Sequence, residues 1–130
     1  MTKANDGCIF CDALANDEQP TVFITSQFFV CYDNFPVNKG HMLIISRRHQ
    51  PDVFSLTPNE WANLTPTLQA VKRHLDEAFH PDGYNIGLNC GEAAGQTIDH
   101  FHIHMIPRYQ GDVENPRGGI RNFKTPLVQY

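Results

Sequence analysis

Three of the seven histidines in this chain of 130 residues lie two apart, at His100, His102 and His104. Imidazole is both the commonest metal ligand and the commonest acid/base group near neutral pH, so the cluster admits three chemistries. It suits a metal centre, a catalytic site in which a ring attacks or moves a proton, or a set of rings satisfied by hydrogen bonds in a polar pocket. A second candidate is Cys8-Ile9-Phe10-Cys11, whose thiols suit a redox pair, half of a zinc site or two buried small side chains. A metal reading of that pair requires a second half elsewhere. Cys31 and Cys90 fall inside predicted strands with no paired spacing and read as buried small side chains. His74 and His80 lie among charged residues on or just after a predicted helix and read as solvated.

The elements that must position these groups are legible in the spacing of apolar residues. From Cys8 to near Asn16-Asp17 runs a short N-terminal segment, read as a short helix. Thr21 to Ser26 and Phe28 to Asp33 are rich in β-branched and aromatic residues and predict two strands joined by a tight turn. Pro36 and Gly40 punctuate the chain before a third strand, His41 to Ser46, closed by the basic Arg47-Arg48-His49. Thr57-Pro58-Asn59-Glu60 carries a hydroxyl cap, a proline at the first helical position and a glutamate three residues after the cap, the signature of a capping box. In the helix that follows, Trp61, Leu64, Leu68, Val71, Leu75 and Phe79 form one stripe, with Lys72, Arg73, Asp76 and Glu77 off it. Pro66 predicts a kink. Pro81-Asp82-Gly83 ends the helix, and Tyr84 to Asn89 and His100 to Pro107 read as a fourth and a fifth strand. On that last strand His100, His102 and His104 point to one side and Phe101, Ile103 and Met105 to the core. Residues 110–130 show neither period and read as an extended C-terminal arm.

Several strands with one dominant helix and short connections predict an α+β fold on a mainly antiparallel sheet. With 41% hydrophobic and 18% charged residues, the chain is too apolar to be disordered, and residues 1–130 read as one domain with a flexible tail over 1–6. A net charge of −4 argues against a general nucleic-acid or anionic-membrane binder. The longest apolar runs, Phe28 to Tyr32 and Met42 to Ile45, fall far short of the roughly 20 residues a membrane span needs. Met1 to Gly7 is polar and lacks the pattern of a secretory signal, so a cytoplasmic protein with reduced thiols is expected.

Gly95-Gln96-Thr97-Ile98-Asp99-His100-Phe101-His102-Ile103-His104-Met105-Ile106 resembles the signature of the histidine triad (HIT) family. The resemblance extends to Cys8 through Cys11, Asp33 with Pro36, Gly40-His41, Asn89, Pro107-Arg108 and Asn115-Pro116-Arg117-Gly118-Gly119, most of the chain. It implies a five-stranded antiparallel sheet with one long helix, pairing into a homodimer, and hydrolysis or transfer at the α-phosphate of a nucleotide. Members of the bacterial type act as dinucleoside polyphosphate hydrolases and nucleoside phosphoramidases, and an adenine nucleotide is the expected partner. The resemblance makes His102 the nucleophile, oriented through its other nitrogen by a backbone carbonyl. It makes His104 the phosphate partner, which if protonated could neutralise a nonbridging oxygen or assist the leaving group. The related transferase branch has glutamine at the third histidine; His104 therefore favours hydrolysis. The physics agrees, since a neutral imidazole attacks phosphorus without prior deprotonation and gives a phosphoramidate that water can hydrolyse, with no metal needed for the step.

Nucleotide-binding positions carried by the same resemblance are Asp33 for the ribose, Asn89, and the Gly95-Gln96-Thr97 loop for phosphate, with His41 in support. Asp33 reads equally as a turn aspartate, and Gly-Gln-Thr alone is an ordinary turn. Several family members carry a structural zinc on two cysteines and two histidines, which makes His49 and His100 the missing half of the Cys8 and Cys11 site. Otherwise His49 is a surface residue and the thiols are free. Arg108, Arg117 and Arg121 could reach distal phosphates, although surface arginines are more often solvated. Two rival readings remain open: a nucleotide-binding regulatory or scaffold protein with slow incidental hydrolysis, and a triad that is itself a catalytic zinc centre.

Overall fold

The computed structural model describes residues 7–16, 21–126 and 128–130, so the predicted tail over 1–6 and Asp17 lie outside the described residues. A short helix α1 (Ile9–Asn16) leads to strands β1 (Phe23–Ile24), β2 (Phe28–Tyr32) and β3 (Met42–Ser46). The long helix α2 (Pro58–Phe79) and strands β4 (Gly83–Gly87) and β5 (His102–Arg108) follow. The five strands form one antiparallel sheet in the order β1-β2-β3-β5-β4, which sets β5 against β3 and leaves β4 at an edge.

Alternation along the strands divides two apolar clusters. Phe28, Val30, Met42, Ile44, Ile103 and Met105 pack with Leu64, Val71 and Leu75 of α2 on one face. On the other, Phe29, Cys31, Leu43 and Ile45 pack with Phe10 of α1. Burial on both faces explains why Met42-Leu43-Ile44-Ile45 is continuous rather than alternating. The capping box at α2 is present: Glu60 N donates to Thr57 Oγ1 at 3.2 Å and Thr57 N donates to Glu60 Oε1 at 2.8 Å. Pro66 lies inside the helix without ending it, and Thr67 Oγ1 donates to Asn63 O at 2.8 Å, adding a bond in the neighbouring turn.

Several expected boundaries differ. The first strand is reduced to Phe23–Ile24, the fourth runs over Gly83–Gly87, and the fifth begins at His102 rather than His100. His100 sits in a bend because Phe101 N donates to Gln50 O at 2.7 Å, an attachment outside the strand ladder. Cys90 is half-buried in the loop after β4, not in a strand. Trp61 is 50% exposed and is not part of the core stripe; the buried positions of the first three turns are Glu60, Leu64 and Thr67. His74 is not simply solvated, since its Nε2 lies 2.7 Å from the Tyr32 hydroxyl. The C-terminal arm does not extend away: it folds back over β4, where Ile120 meets Gly87.

Candidate active site

Strand β5 alternates half-exposed His102, His104, Ile106 and Arg108 with buried Ile103, Met105 and Pro107, so one face of the strand stays open and the other packs into the core. His102 Nδ1 lies 2.8 Å from the carbonyl of His100. A carbonyl only accepts, so Nδ1 carries a proton and the neutral ring has its lone pair on Nε2. The Phe10 ring stands edge-on to His102 at 5.1 Å between centroids and limits the ring's rotation.

His104 is fixed from behind by a second chain of bonds. The Val37 amide donates to His41 Nδ1 at 3.0 Å, which puts the proton of neutral His41 on Nε2. That nitrogen lies 2.9 Å from His104 Nδ1 and 3.5 Å from Asp33 Oδ2. His104 therefore accepts at Nδ1 and keeps its own proton on Nε2. Burial, together with the neighbouring His102 and His41 rings, pushes the His104 imidazole down to about 4, so the ring is neutral at pH 7. His104 thus stands as a neutral ring that donates from Nε2 rather than as a cation. Burial also lowers His41, with Asp33 opposing it. Although ligand atoms of Asp33, His41 and His104 all lie within 4.8 Å of one another, the Val37 amide commits His41 Nε2 to a proton and so to donation rather than metal binding.

A cleft of about 340 Å³ opens over these rings, lined by His102, His104, Asp33, Asn89, Gly95 and Thr97 and walled by Ile9, Phe10 and Phe35. Phe35 is 88% exposed. Its place on the lip was not singled out in the sequence, and neither were Ile9 and Phe10, whose signal was only two apolar residues between the cysteines. Gln96 departs from expectation, because Oε1 accepts from Gly91 N at 2.8 Å and Nε2 donates to Pro51 O at 2.7 Å. The side chain holds the loop's shape and is not among the cleft's lining residues. Asp33 Oδ1 accepts from Phe35 N at 2.8 Å, so the carboxylate is both a turn residue and a cleft residue. Arg108 is held by Asp112, through Nε and Nη2 at 2.8 Å each, which removes it from the free phosphate ligands.

His100 belongs to a different cluster. Its Nε2 lies 2.8 Å from Ser46 O and donates to it, leaving the Nδ1 lone pair facing Cys8 Sγ at 3.3 Å, Cys11 Sγ at 3.5 Å and His49 Nδ1 at 3.1 Å. Cys11 Sγ lies 3.1 Å from His49 Nδ1. Ligand atoms on a tetrahedral zinc would stand about 3.3 to 3.8 Å apart, close to these spacings. Burial lowers His100, which keeps the ring neutral as a ligand must be. The triad thus divides, one ring to the cysteine cluster and two to the cleft, and the three do not converge on one point as a catalytic zinc centre would require.

A sequence profile described as HIT domain matches residues 16–111. The chain belongs to the HIT family. The HIT domain is 37% identical over 98 residues to a bis(5'-adenosyl)-triphosphatase of Dictyostelium discoideum, covering 75% of this chain and 66% of that protein. It is 35% identical over 92 residues to an asymmetrical bis(5'-nucleosyl)-tetraphosphatase of Schizosaccharomyces pombe, covering 70% of this chain and 50% of that one. The chain therefore spans half to two thirds of the length of these relatives. Among solved structures, a Zn-bound histidine triad protein of Mycobacterium smegmatis superposes with a TM-score of 0.74 at 33% identity, covering 82% of this chain and 78% of that one. Among the described residues, no helix is long and apolar enough to cross a membrane.

Proposed function

We propose that this HIT domain hydrolyses a nucleotide at its α-phosphate, its substrate a dinucleoside polyphosphate or a nucleoside phosphoramidate. The reading rests on one observation: the 2.8 Å bond from His102 Nδ1 to the His100 carbonyl, which leaves Nε2 as a lone pair on a ring lining the cleft. In the first step His102 Nε2 attacks the α-phosphorus, an N–P bond forms and the bond to the leaving group breaks. His104 Nε2–H donates a hydrogen bond to the leaving atom, and His41 behind it favours that tautomer; a phosphate leaves as its anion with the bond's electron pair, and an amine takes its proton from water. In the second step water attacks phosphorus, the N–P bond breaks and returns its electron pair to His102 Nε2, and the water's proton is released to solvent. Asp33 would accept from the ribose hydroxyls and Asn89, Gly95 and Thr97 would surround the phosphate, a reading supported by their lining one cleft. Two relatives bear the names of dinucleoside polyphosphate hydrolases, which supports the substrate class and an adenine base.

Cys8, Cys11, His49 and His100 would hold a zinc ion, which supplies a fold cross-link between α1, the end of β3 and the start of β5 rather than chemistry. Intact mass after brief mixing with diadenosine triphosphate tests the reaction. The expected result is the mass of one nucleoside monophosphate on His102, acid-labile and formed before product accumulates. Saturable binding with no such adduct and no turnover would make the protein a nucleotide-binding scaffold instead.

A further inference from the structure

Two clefts meet at His104. Beyond the first, a larger one of about 700 Å³ is lined by His104, Ile106, Leu88, Ile120 and Phe123. His104, Asn89 and Val37 line both, so the two are continuous across the reacting position. The far wall of the second is the C-terminal arm at the turn Gly119–Arg121. The arm meets β4 at Gly87, the register partner of His104, where a Cβ would stand 2.7 Å from Ile120 Cδ1. Asn122 Nδ2 donates to Arg117 O at 2.8 Å, and the guanidinium groups of Arg117 and Arg121 stand over the Tyr130 ring at 4.9 and 4.1 Å. The arm thus brings an apolar wall, Ile120 and Phe123, to the cleft that His104 lines. Ile120 is 64% and Phe123 80% exposed on that wall.

Resting on the hydrolase reading, we propose that the second cleft is the subsite for the leaving half of a dinucleoside polyphosphate, its nucleoside against Ile120 and Phe123. Both clefts are of the size that binds small organic ligands, about 300 to 1,000 Å³. Each has an apolar or aromatic wall suited to a base, and the histidine that faces the scissile phosphate stands at their junction. A substrate of that class has two nucleosides joined by a phosphate chain, so one half fills each cleft while the chain crosses His104. A phosphoramidate with a small amine leaving group fills the first cleft only. The arm therefore separates the two substrate types and ranks the dinucleotide first.

The test compares Phe123→Ala and Ile120→Ala with the unaltered arm in two measurements. Binding is read by calorimetry in a His102→Ala background, with diadenosine tetraphosphate against adenosine monophosphate. The dinucleotide is expected to bind more tightly, and Phe123→Ala to erase roughly tenfold of that margin, at the low end of a lost base–aromatic stack, without changing monophosphate affinity. Turnover is read with His102 present, where kcat/KM for the dinucleotide should fall by a similar factor and that for a small adenosine phosphoramidate stay unchanged. Equal losses on both ligands, or no loss for the dinucleotide, would overturn the subsite. A binding margin that responds to the arm in a protein that hydrolyses neither compound would support the subsite and refute the hydrolase reading.

Discussion

At the scale of single residues, the division of labour within the triad predicts three different phenotypes from three similar substitutions. His102→Ala removes the attacking nitrogen and should abolish turnover in a rate assay while nucleotide affinity by calorimetry stays within about threefold, because Asp33, Asn89, Thr97 and His104 remain. His104→Ala should slow turnover by about 10²-fold to 10⁴-fold, the range for loss of one acid or charge-stabilising group. His100→Ala should act mainly on stability, since its ring faces Cys8, Cys11 and His49 rather than the cleft. The same electrostatics set a pH dependence. With His104 near 4 in the folded chain and about 6.5 when unfolded, the unfolded state binds more protons between those values, so stability rises with pH across that window. Urea midpoints measured from pH 4.5 to 7 should rise accordingly, and His104→Gln should flatten the slope.

At the scale of elements, the start of α2 concentrates energy in one buried carboxylate. Glu60 is 1% exposed, accepts from the Thr57 amide and pairs with Arg48 Nη2 at 2.9 Å. Burial raises its carboxyl, but the bonds from Arg48 and Thr57 outweigh burial and hold it below the usual carboxylate range. The capping box therefore does more than begin a helix, because it ties α2 to the basic turn after β3. Thr57→Ala should cost about 1 kcal/mol, the ordinary value of a cap. Glu60→Ala should cost more, about 2 to 3 kcal/mol by denaturant titration, since it removes the cap's return bond and leaves Arg48 without its buried partner. Equal losses in the two variants would mean that the Arg48 pair contributes nothing.

At the scale of the whole molecule, the cysteine cluster joins chain segments that are distant in sequence. Protein purified without chelator should carry about one equivalent of zinc by elemental analysis. Its removal should lower Tm before it changes the rate on the folded fraction; less than half an equivalent would speak against the site. Among the described residues the sheet ends at β4, an edge strand on which Ile86 is 47% exposed, and α2 presents a half-exposed Trp61. A symmetric homodimer covering these surfaces is expected, and a monomer mass by light scattering at micromolar concentration would refute it.

Periodicity alone determined the long helix, the presence of the strands and the split of His102 and His104 from Ile103 and Met105, because each depends only on which side chain faces which way along its own element. The capping residues of α2 were legible for the same reason. The family signature added the candidate site, and the structure places His102, His104, Asp33, Asn89 and Thr97 around one cleft. What local pattern could not show is where a long-range partner lands. Trp61 fits the helical stripe, yet the core beneath that turn is filled by Glu60 reaching Arg48. Gln96 has the chemistry of a phosphate ligand but spends it on Pro51 and Gly91, and the arm returns onto β4 with Ile120 against Gly87. His100 leaves the strand because the Gln50 carbonyl, across a loop, captures the next amide. In each case the deciding contact joins residues far apart in the chain, and only the folded structure brings them within reach.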